Sequence, residues 1–283
     1  MKLFFAFLLS LFLLHSTNAQ NDLLEELDAE LTVSTKVSSV FKGLKIVNLE
    51  STKTIDKGDF YFVIAHRFGS IKGGFKELYG LDQSNIRFSF LYGFTDRLTA
   101  GLSRSSYEKT YDFTTKYKLL IQDREGFPLN IALFGAMAYK TVDPAFGYVR
   151  YKDIHRLNYV GQLLISRKIN TNLSLQLAPM FLHENFVVQD TQENSQYAAG
   201  FGGRYKLDAR FSINFDYVHH LNRASENPFV NPLSIGCDIE TGGHVFQVHF
   251  SNSRHMNDAG FVNANGDWAT GDIFFGFNLL RVF

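Results

Sequence analysis

Charged and polar side chains recur at one parity of the alternating stretches of this chain. Arg87, Arg97, Lys116, Lys118, Arg204 and Lys206 stand against Asp216, Asp238 and Glu240, with Gln247 and His249 close by in sequence. Such a mixed set has two chemical uses: its members pair with one another, or they line a polar path or binding cavity for a small polar solute. Where the groups are poorly hydrated, pairing is the cheaper state, because a buried charge without a partner is costly. The histidines offer less. His66, His155, His183, His219, His220 and His255 scatter over strand rims and loops with no carboxylates at a repeated spacing, so no metal and no cofactor is expected. His219 and His220 point to opposite faces if their strand persists. No GxSxG elbow is present, and no outward Ser and Asn obviously neighbour the outward His219, so the chain reads as a non-enzyme. The glycines at Gly200, Gly202 and Gly203 and at Gly242 and Gly243 do not open a helix after a parallel strand, as a phosphate loop would require. The first group suits a curving wall or the passage of a bulky interior side chain, and the second suits a turn. The lone Cys237 has no partner for a disulfide and reads as a small apolar surface residue.

The elements that must position these groups have a period of two. From Arg210 to Val218, Phe211, Ile213, Phe215 and Tyr217 share one face while Ser212, Asn214, Asp216 and Val218 share the other. The same split recurs at 85–94, 157–168 and 172–182, and further candidates run over 59–67, 97–105, 112–122, 128–139, 196–207, 232–239, 244–252 and 271–282. About twelve strands result, an even number of the kind bacterial barrels require. Tight connections at 94–97, 168–171, 207–209 and 240–243, with a longer one at 123–126, read as periplasmic turns. The polar stretches 68–84, 140–156, 184–195, 221–231 and 253–270 read as cell-surface loops.

The composition agrees with this arrangement. The chain holds 29 Phe and 13 Tyr against one Trp, with 28 basic and 28 acidic residues. So much Phe suits a wall that faces lipid, and a neutral chain has no basic field to attract nucleic acid. No apolar run is long enough for a helical membrane span. Residues 1–19 read as a secretory signal peptide, with Lys2 before an apolar run and a cut after Ala19. Residues 20–57 read as a periplasmic N-terminal segment with a short helix at LLEELDAEL, and Leu44 to Asn48 as a short strand below the barrel wall. Residues 58–283 read as the barrel. A soluble β-sandwich would also alternate, but its polar face would carry abundant Lys and Glu, whereas here Ser, Asn, Gln, Gly and Ala dominate. The final stretch DIFFGFNLLRVF ends on Phe283, which resembles the signal read by barrel-assembly machinery and makes that machinery an expected partner, beside outer-membrane lipid.

Three strings carry a family resemblance: HRFG at His66 to Gly69, GLDQSNIRFSFLYGFTDRLTAGLSRSS from Gly80 to Ser106, and DIETGGHVFQVHFSNS from Asp238 to Ser253. Together they resemble an outer-membrane β-barrel family of the Bacteroidota known as domain of unknown function 5777, over Lys42 to the C-terminus. The resemblance implies an all-β, antiparallel up-and-down transmembrane barrel in the outer membrane, with no established enzyme activity or ligand and no site residues to carry over. The leading expectation is a small-solute channel or binding barrel with a polar, mixed-charge lumen. The alternative is a closed structural or accessory barrel that partners a periplasmic or surface component, and an outer-membrane lipid hydrolase stands third.

Overall fold

Alternation along each stretch gives the backbone one face for lipid and one for the interior, and a sheet with two such faces has no exposed edge only if it closes on itself. The computed structural model describes residues 35–37, 40–143, 151–241 and 244–283. In it the strands are β1 (Phe60–Ser70), β2 (Ser84–Thr95), β3 (Leu98–Ser105), β4 (Thr110–Leu120), β5 (Asn130–Lys140), β6 (Leu157–Lys168), β7 (Leu173–Glu184), β8 (Ser195–Lys206), β9 (Phe211–His220), β10 (Leu233–Thr241), β11 (His244–Ser251) and β12 (Phe274–Val282). Each pairs antiparallel with the next, and β12 returns to β1 through pairs such as Tyr61↔Val282 and Arg67↔Gly276, so the barrel is closed. The twelve stretches expected from periodicity correspond one to one with these strands. The leader and the LLEELDAEL helix lie outside the described residues.

Connections alternate in length, giving the barrel a short-turn end and a long-loop end. At the short-turn end, side-chain acceptors close the turns: Asn170 Oδ1 accepts from the N–H of Asn172 and Leu173, and Asp208 Oδ1 from those of Arg210 and Phe211. Phe283 meets Phe60 at the same end, exchanging backbone hydrogen bonds of 2.9 and 3.2 Å.

The outer face carries the aromatic residues. Phe90 and Leu102 are 50% and 63% exposed, and Phe275 stacks sideways on Phe68 and Phe250 rather than beneath a second sheet. Phe211, Phe215 and Phe277 are likewise on the outside, so a sandwich is excluded. The buried core is therefore inside the ring. Ala132, Phe134, Val160, Leu164, Met180 and Leu182 form an apolar sector of the inner wall, while Arg67, Arg87, Asp112 and Lys116 belong to a polar one. What fills the space between the two sectors is the chain's own N-terminal segment, together with the 252–273 loop from the opposite end.

Candidate functional site

The interior is organised around a hairpin at 44–51. Ile46 N–H donates to Leu49 O at 2.8 Å and Ser51 N–H to Leu44 O at 2.9 Å, with a bridge between Lys45 and Glu50. Leu44 to Asn48, expected as a strand below the wall, thus runs inside the barrel instead. Its apolar residues explain why: Ile46, Val47 and Leu49 are 0–2% exposed, Ile46 and Leu49 against the apolar inner sector and Val47 beside Gly236. The glycines of β8 make the space. A Cβ on Gly202 would lie 2.6 Å from Ile46 Cδ1, and one on Gly200 would lie 2.9 Å from Leu49 Cδ1. Of the two readings of this glycine group, passage of bulky interior side chains describes Gly200 and Gly202, and the side chains belong to the hairpin.

At the hairpin tip, the N–H groups of Val47, Asn48 and Leu49 converge on Asp216 Oδ2 of β9 at 3.0, 2.7 and 2.8 Å. Successive N–H groups arranged this way form an anion-binding concavity, here occupied by a carboxylate of the wall. Around it the segment is tied to seven further strands. Asn48 bonds Arg67, Ser234 and Ser251; Gln247 donates to Ile46 O; Gln176 brackets Glu50 O and Thr52 N–H; Thr52 bonds Ser166; Lys116 donates to Leu44 O and Lys53 O; and Ile55 N–H donates to Thr99. Lys45 reaches the opposite way, to Glu50 at 2.8 Å and to Asp258 of the 252–273 loop. Phe261, Val262 and Ala264 of that loop are 0–1% exposed, so the loop closes the lumen from the long-loop end as the hairpin does from the other. Burial lifts the Asp258 carboxyl to about 6, against the pull of Lys45.

Most of the residues singled out by parity face this interior. Arg87 pairs with Asp112, both almost fully buried; Lys116 pairs with Glu50 at 2.8 Å; Arg204 reaches Glu240 at 2.7 Å and Ser212 at 3.0 Å. Asp238 accepts from Gln247 at 2.6 Å, and Lys118 is half-buried on the face of Lys116. His249 is 2% exposed beside Gly236 and Gly276. Arg97 is different: it sits exposed in the β2–β3 turn, because the register slips between Gly93 and Thr95 and carries it off the inner face. His219 faces out and His220 in, the latter bonded to Gln196 at 2.9 Å. Asn231 of a long loop does approach His219, at 3.3 Å. Among the described residues no group of three His, Cys, Asp or Glu is placed to hold a metal.

Sequence reasoning missed Lys45, Asn48, Glu50, Arg67 and Asp112, and placed Gln176 on the polar face of its strand without a role. Asp112 was within reach, since it shares the parity of Thr114 and Lys116 on β4. Asn48 and Glu50 carried no signal, because the hairpin has no period of its own and partners such as Arg67, Ser234 and Lys116 come from strands that only the closed barrel brings to it.

The hairpin does not fill the polar sector completely. A cavity of about 100 Å³ remains between Gly43–Lys45 and the wall that runs from β10 through β11, β12 and β1 to β4, with Arg67, Arg87, Ser103, Lys116 and Asp238 among its lining and Val63, Leu91, Val245 and Leu280 toward its short-turn end.

Comparison with known proteins agrees with this architecture. A family model described as a membrane bound beta barrel domain (DUF5777) matches residues 41–283, a span that takes in the hairpin as well as the wall. No curated protein matches the chain in sequence. Among solved structures, the NanC porin is similar with a TM-score of 0.50 at 8% identity, covering 79% of this chain and 98% of its own. The KdgM porin gives 0.48 at 8% identity over 80% and 99%. The outer membrane protein Omp33 of Acinetobacter baumannii gives 0.41 at 10% identity over 80% and 98%. At these identities the NanC likeness shows a common fold.

Proposed function

The chain belongs to the membrane-bound β-barrel domain family DUF5777, and from that premise we propose a porin-like outer-membrane barrel held closed at rest by its own residues 40–57, which passes a small polar solute when that segment leaves. The observation that carries this reading is the seating of the Val47–Leu49 turn on Asp216. A polar wall whose carboxylate is matched to backbone N–H groups is a socket, and the same wall becomes hydrated when its occupant departs. Val37 N–H bonds Gln122 O at the short-turn end, so the segment enters from that end, which short connections identify with the periplasm. Spontaneous exit is rare. Ile46, Val47, Leu49 and Ile55 are all 0–2% exposed, and at about 1.5–3 kcal/mol each their transfer to water costs on the order of 6–12 kcal/mol.

That cost also favours a second reading, a permanently closed accessory barrel. Conductance in planar bilayers separates the two. The full chain is expected to be silent, and a variant lacking residues 44–51, checked for folding by heat-modifiable gel migration, is expected to conduct. A folded deletion variant that stays silent would leave the accessory reading in place, and a full chain that conducts as well as the deletion variant would refute closure.

A further inference from the structure

Four cations line the cavity beside the hairpin, and three of them touch a carboxylate: Lys45 meets Glu50 and Asp258, Arg87 meets Asp112, and Lys116 meets Glu50. Arg67 does not. It is 2% exposed, and its guanidinium is held only by neutral acceptors: His66 O at 2.8 Å, Asn278 Oδ1 at 3.0 Å and Asn48 Oδ1 at 2.9 Å. Its Nε–H has no partner among the described residues, nor has the hydroxyl of Ser103, which lines the same cavity. Asp216 acts on Arg67 only through space, and its Oδ2 is already committed to three hairpin N–H groups.

A guanidinium cannot discharge itself by losing its proton near neutral pH, so in a poorly hydrated interior its charge calls for an anion. Toward the short-turn end the same wall turns apolar at Val63, Leu91, Val245 and Leu280. The space is limited: a dry cavity of about 150 Å³ holds a benzene, and this one is about 100 Å³. An anionic head with a short hydrocarbon tail matches both the chemistry and the size.

We propose that this cavity is a binding site for a short aliphatic monocarboxylate of three or four carbons, with its carboxylate on the Arg67 guanidinium and its tail on the Val63–Leu91–Leu280 side. As a station on a path through the barrel the site rests on the gated reading above; as a binding site it does not. The test is a titration of carboxyl-labelled 13C-propionate into the full chain in detergent micelles, followed by NMR. Saturable binding is expected for propionate and none for propionamide. Arg67→Gln is expected to weaken binding at least about tenfold, because a charge-assisted contact becomes a neutral one. Leu91→Trp fills the apolar end of the cavity, on a strand position remote from the guanidinium, and is expected to abolish binding, so a folding failure of the first variant does not decide the matter. No saturable binding to the full chain, binding by a folded Arg67→Gln within twofold of the parent, or chloride binding as tightly as propionate would each overturn the proposal. Conductance is a separate readout: propionate binding to a barrel that never conducts sinks the channel reading and leaves the site, and conductance without binding does the reverse.

Discussion

Three successive N–H groups on one carboxylate oxygen leave a clear trace when that oxygen is removed. Asp216→Ala strands the donors of Val47, Asn48 and Leu49 in a buried setting, and each unsatisfied donor costs about 1–3 kcal/mol. Docking of the hairpin should weaken by about 3 kcal/mol or more, seen as faster hydrogen exchange at those three amides with the strand amides unchanged; equal protection in the variant would show that Asp216 is a bystander. Asp216→Asn, which keeps an acceptor oxygen but loses the charge, should fall between. Asp216 was legible in the sequence as an inward residue, because Phe211, Ile213, Phe215 and Tyr217 fix the outward parity around it. Its role was not. Parity tells which way a side chain points and says nothing of what meets it there, and the ligands of Asp216 are backbone groups of a segment 167–169 residues away. Arg87 illustrates the same limit, since its direction was plain and its pairing with Asp112 needed the alignment of β2, β3 and β4 across the wall.

At the scale of elements, the strands were readable because period-two alternation survives any sequence of loops, whereas the hairpin had to be seen in place. Its fit depends on β8, where Gly200 and Gly202 give up side chains so that Leu49 and Ile46 can occupy their volume. Gly202→Val should therefore displace Ile46 without altering a lipid-facing residue, and the readout is a conductance that the parent lacks; a silent, folded Gly202→Val barrel would mean that the hairpin can shift sideways in the lumen. The 252–273 loop makes a pH-dependent counterpart. Burial raises the Asp258 carboxyl to about 6, above the value of about 3.9 for an exposed Asp. The docked loop thus keeps a proton that an undocked loop has lost, so docking is strongest below about pH 4 and weakens as pH rises to about 6. Hydrogen exchange at 257–262, corrected for intrinsic rates, should show protection falling over that interval in the parent and flat in Asp258→Asn. An equal slope in the variant would assign the effect to another group.

For the whole molecule, the family, the closed ring and the inward residues converge on one outer-membrane barrel, and its interior resembles the core of a soluble domain turned outside in. Apolar and paired polar groups meet at the centre, and the exposed Phe and Leu side chains face lipid. The hairpin also joins β1 through only the residues from 52 to 59, and β1 is the strand that β12 must find to close the ring. A tether so short keeps the hairpin beside β1 while the seam between β1 and β12 is still open, so that the last strands wrap onto an object already in position. The hairpin is then a mandrel for assembly before it is a stopper, and a chain without residues 44–51 should reach its heat-modifiable form more slowly than the parent even if both end as closed barrels.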